Sequence, residues 1–188
     1  MPASGQLFLC SHDYQSIDVL GCVHLAPFLR LISIQSTQIA VVTSDANTWL
    51  HNLFTNQSGR NWIGWTDTIV TSGNSSAIAR IQDYLREGGA VFIFYERWRM
   101  SSGVWHILKA LDRPVQVQAI RLSLGEHITP LTWRGTEWRR IQDNFQFMWQ
   151  MALYRPSIEM SRRALSVRRL RSLNSDGFKR YLFRVLYR

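Results

Sequence analysis

Two polar clusters in this 188-residue chain place side chains that can move a proton or hold an anion directly after apolar runs. In the first, Ser11-His12-Asp13-Tyr14-Gln15-Ser16 is followed by Asp18, so five residues (Asp13 to Ile17) separate the His12 imidazole from the Asp18 carboxylate. Histidine has the ordinary pKa that suits a general base near neutral pH, and a neighbouring carboxylate fixes its tautomer. In the second, Phe94-Tyr95-Glu96-Arg97-Trp98-Arg99, two guanidinium forks sit beside a carboxylate. Such forks take phosphate or carboxylate bidentately. The plain alternatives are a satisfied loop histidine and a surface Glu96–Arg99 ion pair worth ~0–1 kcal/mol. The position of Glu96 straight after the most apolar strand-length run, Ala90 to Tyr95, argues against a mere surface pair.

Other chemistry-bearing residues read as structural. His24, His51, His106 and His127 lack metal-ligand spacing, and Cys10 and Cys22 have no ligand company, so neither a metal nor a resident cofactor is expected. Cys10, two residues before His12, lies within a strand-like run and reads as a small buried hydrophobe rather than a nucleophile. Trp62, Trp65, Trp98 and Trp105 read as core or rim.

The elements that must position these clusters alternate. Gln6 to Cys10 is a short apolar run that delivers the first cluster as a strand delivers a loop, and a helix is expected from Ser16. Arg30 to Val42 is strand-like, Ser44-Asp45 caps a helix bearing Trp49, Leu50, Leu53 and Phe54, and Trp62 to Val70 is extended. Ala77, Ile78, Ile81, Tyr84 and Leu85 recur at helical spacing until Gly88-Gly89 ends the helix and Ala90 to Tyr95 follows as a buried strand. A short helix, Val104 to Leu111, leads through Asp112-Arg113-Pro114 into a strand from Val115 to Leu122. Glu137 to Leu153 has helical periodicity, and Asp176-Gly177 opens a last helix with Phe178, Tyr181, Leu182, Val185 and Leu186 on one face. The alternation predicts an α/β fold with a mixed, mostly parallel sheet flanked by helices.

Composition narrows the partners. Hydrophobic residues make up 46% of the chain, enough for a sizeable core, and two cysteines cannot build a disulfide framework. Met1 to Gly5 does not read as a signal peptide, so a reducing compartment is the expectation. The most apolar region, Val19 to Ser44, is interrupted by His24, Pro27 and Arg30, and does not read as a membrane span. Lys+Arg number 22 against 13 Asp+Glu, a net +9. From Arg155 to Arg188 ten basic residues face only Glu159 and Asp176, so the charge is concentrated at one end. Residues 1–155 are read as an α/β domain and 156–188 as a basic segment packed on or extending it.

Four pieces in this order resemble the lysophospholipid acyltransferase family, the glycerolipid acyltransferases, whose motifs run N-H-x4-D, G-x-x-x-x-x-R, F-P-E-G-T-R-S and P-V-x-P-V. They are Ser11-His12 with Asp18; Trp65 to Thr71; Phe94 to Arg99 with Ser102-Gly103; and Pro114-Val115-Gln116-Val117. The third is the best match, with Phe94, Glu96 and Arg99 at the family's F, E and R spacing, and the likeness runs from residue 6 to about 122. The chain departs from the pattern in the five-residue gap after His12, in Tyr95 and Arg97, and in Val70-Thr71-Ser72, where the second motif has its arginine.

The resemblance implies a glycerolipid-acyltransferase-like fold and an O-acyltransferase. His12 would be the general base oriented by Asp18, and Glu96, Arg97 and Arg99 would bind the acceptor. The donor would be a co-substrate, acyl-CoA or acyl carrier protein, and the acceptor a lysophospholipid or related lipid in phospholipid synthesis. The location implied is cytoplasmic, peripheral to the membrane. The last helix and the arginines before it (Arg162, Arg163, Arg168, Arg169, Arg171) are then expected to dock on an anionic bilayer. Two other readings compete. One is a non-catalytic lipid- or protein-binding module on the same scaffold. The other is a basic nucleic-acid binder, which the arginines alone support without any binding-fold signature, so no specific nucleic acid is expected.

Overall fold

The computed structural model describes residues 4–12, 38–44, 67–71, 75–96, 100–123, 142, 145–146, 149–150, 153 and 159–188. The elements are β1 (Gly5–His12), β2 (Ile39–Ser44), β3 (Asp67–Thr71), α1 (Ser75–Arg86), β4 (Ala90–Glu96), α2 (Gly103–Ala110), β5 (Val115–Ser123), β6 (Glu159–Leu165), α3 (Val167–Ser172) and α4 (Ser175–Tyr187). The strands form one sheet in the order β3-β2-β4-β1-β5-β6. The first five run parallel, and β6 pairs antiparallel with β5 at the edge. This is the mixed, mostly parallel α/β arrangement that the alternation predicts.

The central strands read as continuous apolar runs because both of their faces are covered. Leu7, Phe8, Leu9 and Cys10 of β1 and Ala90, Val91 and Phe92 of β4 have no exposed surface. On one face Leu7, Leu9, Val91 and Tyr95 pack with Ile81 and Leu85 of α1, Ile107 and Leu108 of α2, Leu170 of α3 and Phe178, Leu182 and Leu186 of α4. On the other, Phe8 stacks on Phe92 with ring centroids 4.5 Å apart. Each buried Leu or Phe contributes about 1.5–3 kcal/mol, so the sheet core dominates stability.

Two glycines close α1 against the start of the sheet. Gly88 takes φ 86, the left-handed conformation that ends a helix, with the Gly89 N–H donating to the Tyr84 carbonyl at 2.8 Å. Gly5 lies under the helix end, where a Cβ would meet the Leu85 carbonyl oxygen at 2.2 Å.

The C-terminal third departs most from the sequence reading. Glu-Met-Ser-Arg-Arg-Ala-Leu forms β6, a strand whose polarity reflects its place at the sheet edge, where charge deters further pairing. Of the two roles open to the apolar face of the last helix, packing on the body is the one observed: Phe178, Leu182 and Leu186 of α4 are fully buried in the core, so this face is not free to lie on a bilayer. An amphipathic pattern serves either role, and here the sheet offers the apolar partner. Asn174 caps α4, its Oδ1 accepting from the Gly177 N–H at 2.7 Å.

The arginines before α4 are also largely engaged within the molecule. Arg171 donates from Nε to the Leu108 carbonyl at 2.7 Å and from Nη2 to the Leu111 carbonyl, clamping the carbonyl end of α2. Arg162 donates to Gln118 across β5 and β6, and Arg169 lies 4.8 Å from the Tyr181 ring centre. Arg163 and Arg168 are exposed. Helices expected from Ser16 and at Asp45 lie outside the described residues. Within Glu137 to Leu153 the described positions are helical.

Candidate functional site

In a parallel sheet all strands deliver their following loops to the same edge. Here β1, β2, β3, β4 and β5 end on His12, Ser44, Thr71, Glu96 and Ser123. The chain leaves β1 for β2 by passing β4 in one direction across the sheet, and leaves β4 for β5 by passing β1 in the other. Adjacent strands whose connections depart in opposite senses make a topological switch point, the place where open α/β sheets receive ligands. That point lies between β1 and β4.

The register brings the strand-borne first residues of the two predicted clusters together there. His12 and Glu96 are Cα partners across β1 and β4, and Ser11 pairs with Tyr95 in the same way. Adjacent strands lie about 4.8 Å apart, so the backbones of the two last residues are immediate neighbours. Although 84 positions apart in sequence (96 minus 12), they end their strands side by side. Asp18, Arg97 and Arg99 lie outside the described residues. The fourth motif, Pro114-Val115-Gln116-Val117, starts β5 at the opposite edge of the sheet, with Ser4 Oγ donating to the Pro114 carbonyl at 3.1 Å, so it supports the scaffold rather than this edge.

What surrounds the junction is largely buried. Ser11 and Tyr95 are each 2% exposed. Burial pushes the Cys10 thiol far up, away from the thiolate a nucleophile requires, which agrees with its reading as a small core residue. Burial likewise raises the Tyr95 phenol, against the opposing influence of the Ser101 hydroxyl, and the Tyr95 OH has no well-formed hydrogen bond among the described residues. Beyond the loop, α2 starts at Gly103 with no side-chain hydrogen bond capping its first turn. Among the described residues no group of three His, Cys, Asp or Glu could hold a metal ion.

One residue that sequence reasoning misses holds the junction in place. The Tyr187 hydroxyl, at the end of α4, donates to the carbonyl oxygen of Tyr95, one residue before Glu96. A contact between positions 92 apart leaves no local signal, and in the sequence Tyr187 is indistinguishable from the other aromatic residues of the last helix.

No protein-family model matches the chain, and no curated protein matches it significantly. Any assignment of chemistry therefore rests on these residues and this topology.

Proposed function

We propose that the chain is an O-acyltransferase of the glycerolipid-acyltransferase type, which moves a fatty acyl group from a thioester donor to a hydroxyl of a lysophospholipid or related lipid. The observation that carries this reading is the His12–Glu96 register at the switch point. It puts the last residues of β1 and β4 side by side, and this supports reading the two clusters that begin there as one shared site.

In the reaction His12, oriented by Asp18, accepts the proton of the acceptor hydroxyl as its oxygen attacks the thioester carbonyl. The C–O bond forms, the tetrahedral intermediate collapses with cleavage of the C–S bond, and the leaving thiolate takes the proton back from the imidazolium. This is the logic of a serine triad with the substrate hydroxyl in place of the enzyme serine, so no acyl-enzyme forms. Glu96 orients the acceptor or the guanidinium beside it, and Arg97 and Arg99 hold its phosphate. Acyl-CoA or acyl carrier protein serves as donor.

The acceptor lives in a bilayer, and the reading includes docking at an anionic membrane surface. Among the described residues no helix is long and apolar enough to cross a membrane. With the apolar face of α4 buried, the support for docking shifts to Phe145, Trp149 and Leu153. They are 69%, 70% and 59% exposed and follow one another at four-residue spacing on helical backbone. Aromatic and aliphatic residues along one stripe suit the interfacial region of a bilayer.

The test is thiol release from palmitoyl-CoA, and from palmitoyl acyl carrier protein, by the purified chain with a lysophospholipid acceptor. Wild type consumes thioester in an acceptor-dependent way, and Arg99→Ala raises the acceptor KM, with Arg99→Lys restoring only part because lysine lacks the fork. Absence of acceptor-dependent thiol release with either donor would leave a non-catalytic scaffold on the same fold.

A further inference from the structure

The structure sorts the basic residues of the C-terminal segment into two sets. One set is engaged within the molecule: Arg171 clamps α2, Arg162 bonds Gln118, and Lys179 lies 3.7 Å from Asp176. The other set is exposed, and its most regular part is the outer side of α4, where Arg180, Arg184 and Arg188 recur every four residues. At that spacing the three heads lie along one stripe, about 12 Å long, on which like charges repel. None of the three has a carboxylate partner among the described residues. The helix dipole favours a cation in the last turn, but not Arg180 in the first half of α4. A row of cations that repel one another and pair with no described carboxylate calls for an anion from outside the molecule.

The stripe is concave and has aromatic rings on both flanks. Lys179, Arg180, Arg184 and Arg188, with Phe183 and Met100, line an open hollow of ≈ 360 Å³. Phe183 comes three residues after Arg180 and four after Lys179, which sets it beside both on the helix surface. It is half-buried, its ring 5.4 Å from that of Tyr187. On the other flank Tyr181, also half-buried, lies beside Arg184, and Arg169 of α3 sits 4.8 Å from its ring centre. Cations and partly exposed rings therefore alternate across the outside of α3 and α4.

We propose that the outer face of α4 binds single-stranded nucleic acid without regard to sequence, with phosphodiesters on the arginine stripe and unpaired bases against Phe183 and Tyr181. This goes beyond the acyltransferase reading and does not depend on it. Single strands are held without base readout by a cationic groove that follows the backbone, beside rings that take the faces of successive bases. Guanidinium forks suit the phosphodiester oxygens, and three of the four cations in the hollow are arginine. A duplex keeps its bases stacked out of reach of the rings and gains the cations alone. A bilayer presents a flat surface to a concave site, and the apolar face that would enter it is the one that α4 buries in the core.

The experiment measures the fluorescence anisotropy of labelled oligothymidylate with the full chain as salt is raised. Four cations on four phosphates give a slope of log affinity on log salt of about −2.8, so binding weakens about 50-fold between ~50 and ~200 mM salt. The double variant Arg180→Gln/Arg184→Gln is expected to keep the wild-type unfolding midpoint, since both side chains are exposed, and to make the slope shallower by about 1.4. Phe183→Leu is expected to keep the slope and lose about fivefold or more in affinity for oligothymidylate. Its affinity for polyphosphate, which has no base to stack, should be unchanged, and this arm separates lost stacking from a disturbed helix. Absence of binding at low salt, or an unchanged slope in the double variant, would overturn the proposal. So would equal displacement by polyphosphate at equal charge, which would leave an unspecific polyanion patch, or a Phe183→Leu loss shared by both ligands. Tighter binding of a duplex than of the single strand, or stronger displacement by phosphatidylserine vesicles, would likewise refute it and assign the face to a duplex or to a membrane. Neither variant alters a residue of the proposed acyl transfer, so the two readings fail separately.

Discussion

At the amino edge of the parallel sheet the chain is locked by close backbone approaches, whereas at the carboxyl edge its strands end on polar residues beside a topological switch point. At the first edge the Gln6 N–H donates to the Gly89 carbonyl at 3.0 Å and the Ala90 N–H to the Gln38 carbonyl at 2.8 Å. Arg113 donates to the Arg86 carbonyl at 3.0 Å, and Arg86 pairs with Asp83 at 2.8 Å and Asp112 at 3.3 Å. At the second edge His12 and Glu96 share a register between two buried strands. The difference teaches that one edge spends its residues on holding the fold, while the other carries groups that are costly to bury and that the proposed reaction would use. Substitutions at the two edges should therefore separate stability from turnover.

The largest loss of stability is expected from Gly5→Ala. The new methyl meets the Leu85 carbonyl oxygen at 2.2 Å, backbone that cannot rotate away. Overpacking of this kind costs about 1–3 kcal/mol, read as a lower denaturant midpoint at unchanged slope. Acceptor KM should be unchanged in the fraction that remains folded, and a selective rise in KM would break the separation of the edges.

A smaller effect that bridges the two edges is expected from Tyr187→Phe. Removing the hydroxyl that donates to the Tyr95 carbonyl costs about 1 kcal/mol of stability. Because that carbonyl directly precedes Glu96, turnover should fall by more than the lost folded fraction explains. A purely structural tyrosine would lower stability and leave the turnover of folded protein intact.

The smallest effect concerns pH at the amino edge. The Asp112 carboxyl is held below the usual carboxylate range, first by its own backbone N–H and then by Arg86. Its folded pKa lies below the unfolded one, so its contribution is present at neutral pH and fades as pH falls below about 3.9 and through the folded value. The wild type and Asp112→Asn should differ slightly in melting temperature at pH 7 and converge in acid. A difference that persists below pH 3 would show that charge at Asp112 is not the cause.

Much of the scaffold was legible because its strands are buried on both faces. Ala90 to Tyr95 and Val115 to Leu122 stand out as apolar runs, Gly88-Gly89 marks the end of α1, and the observed strands Ala90–Glu96 and Val115–Ser123 differ from those readings by one residue each. The edge strand β6 was not legible, since four exposed positions from Ser161 to Ala164 erase the apolar alternation. Strand order was not legible either. The insertion of β4 between β2 and β1 depends on pairings between distant segments, which leave no periodicity behind. For the same reason periodicity and spacing leave His12 and Glu96 as separate clusters that only the resemblance joins, and the register makes them neighbours. The arginines illustrate the converse: Arg171 and Arg180 look alike in sequence, yet one clamps the end of α2 and the other lines an open hollow.

The most direct test of the carboxyl edge is acceptor-dependent thiol release by His12→Ala, measured beside its unfolding curve. A general base contributes about 10²–10⁴ to rate, so turnover should fall by that factor while the unfolding midpoint stays that of wild type. Asp18→Asn should fall in the same direction by less. Wild-type turnover in folded His12→Ala would contradict the account at its centre and remove the catalytic role from the β1–β4 junction.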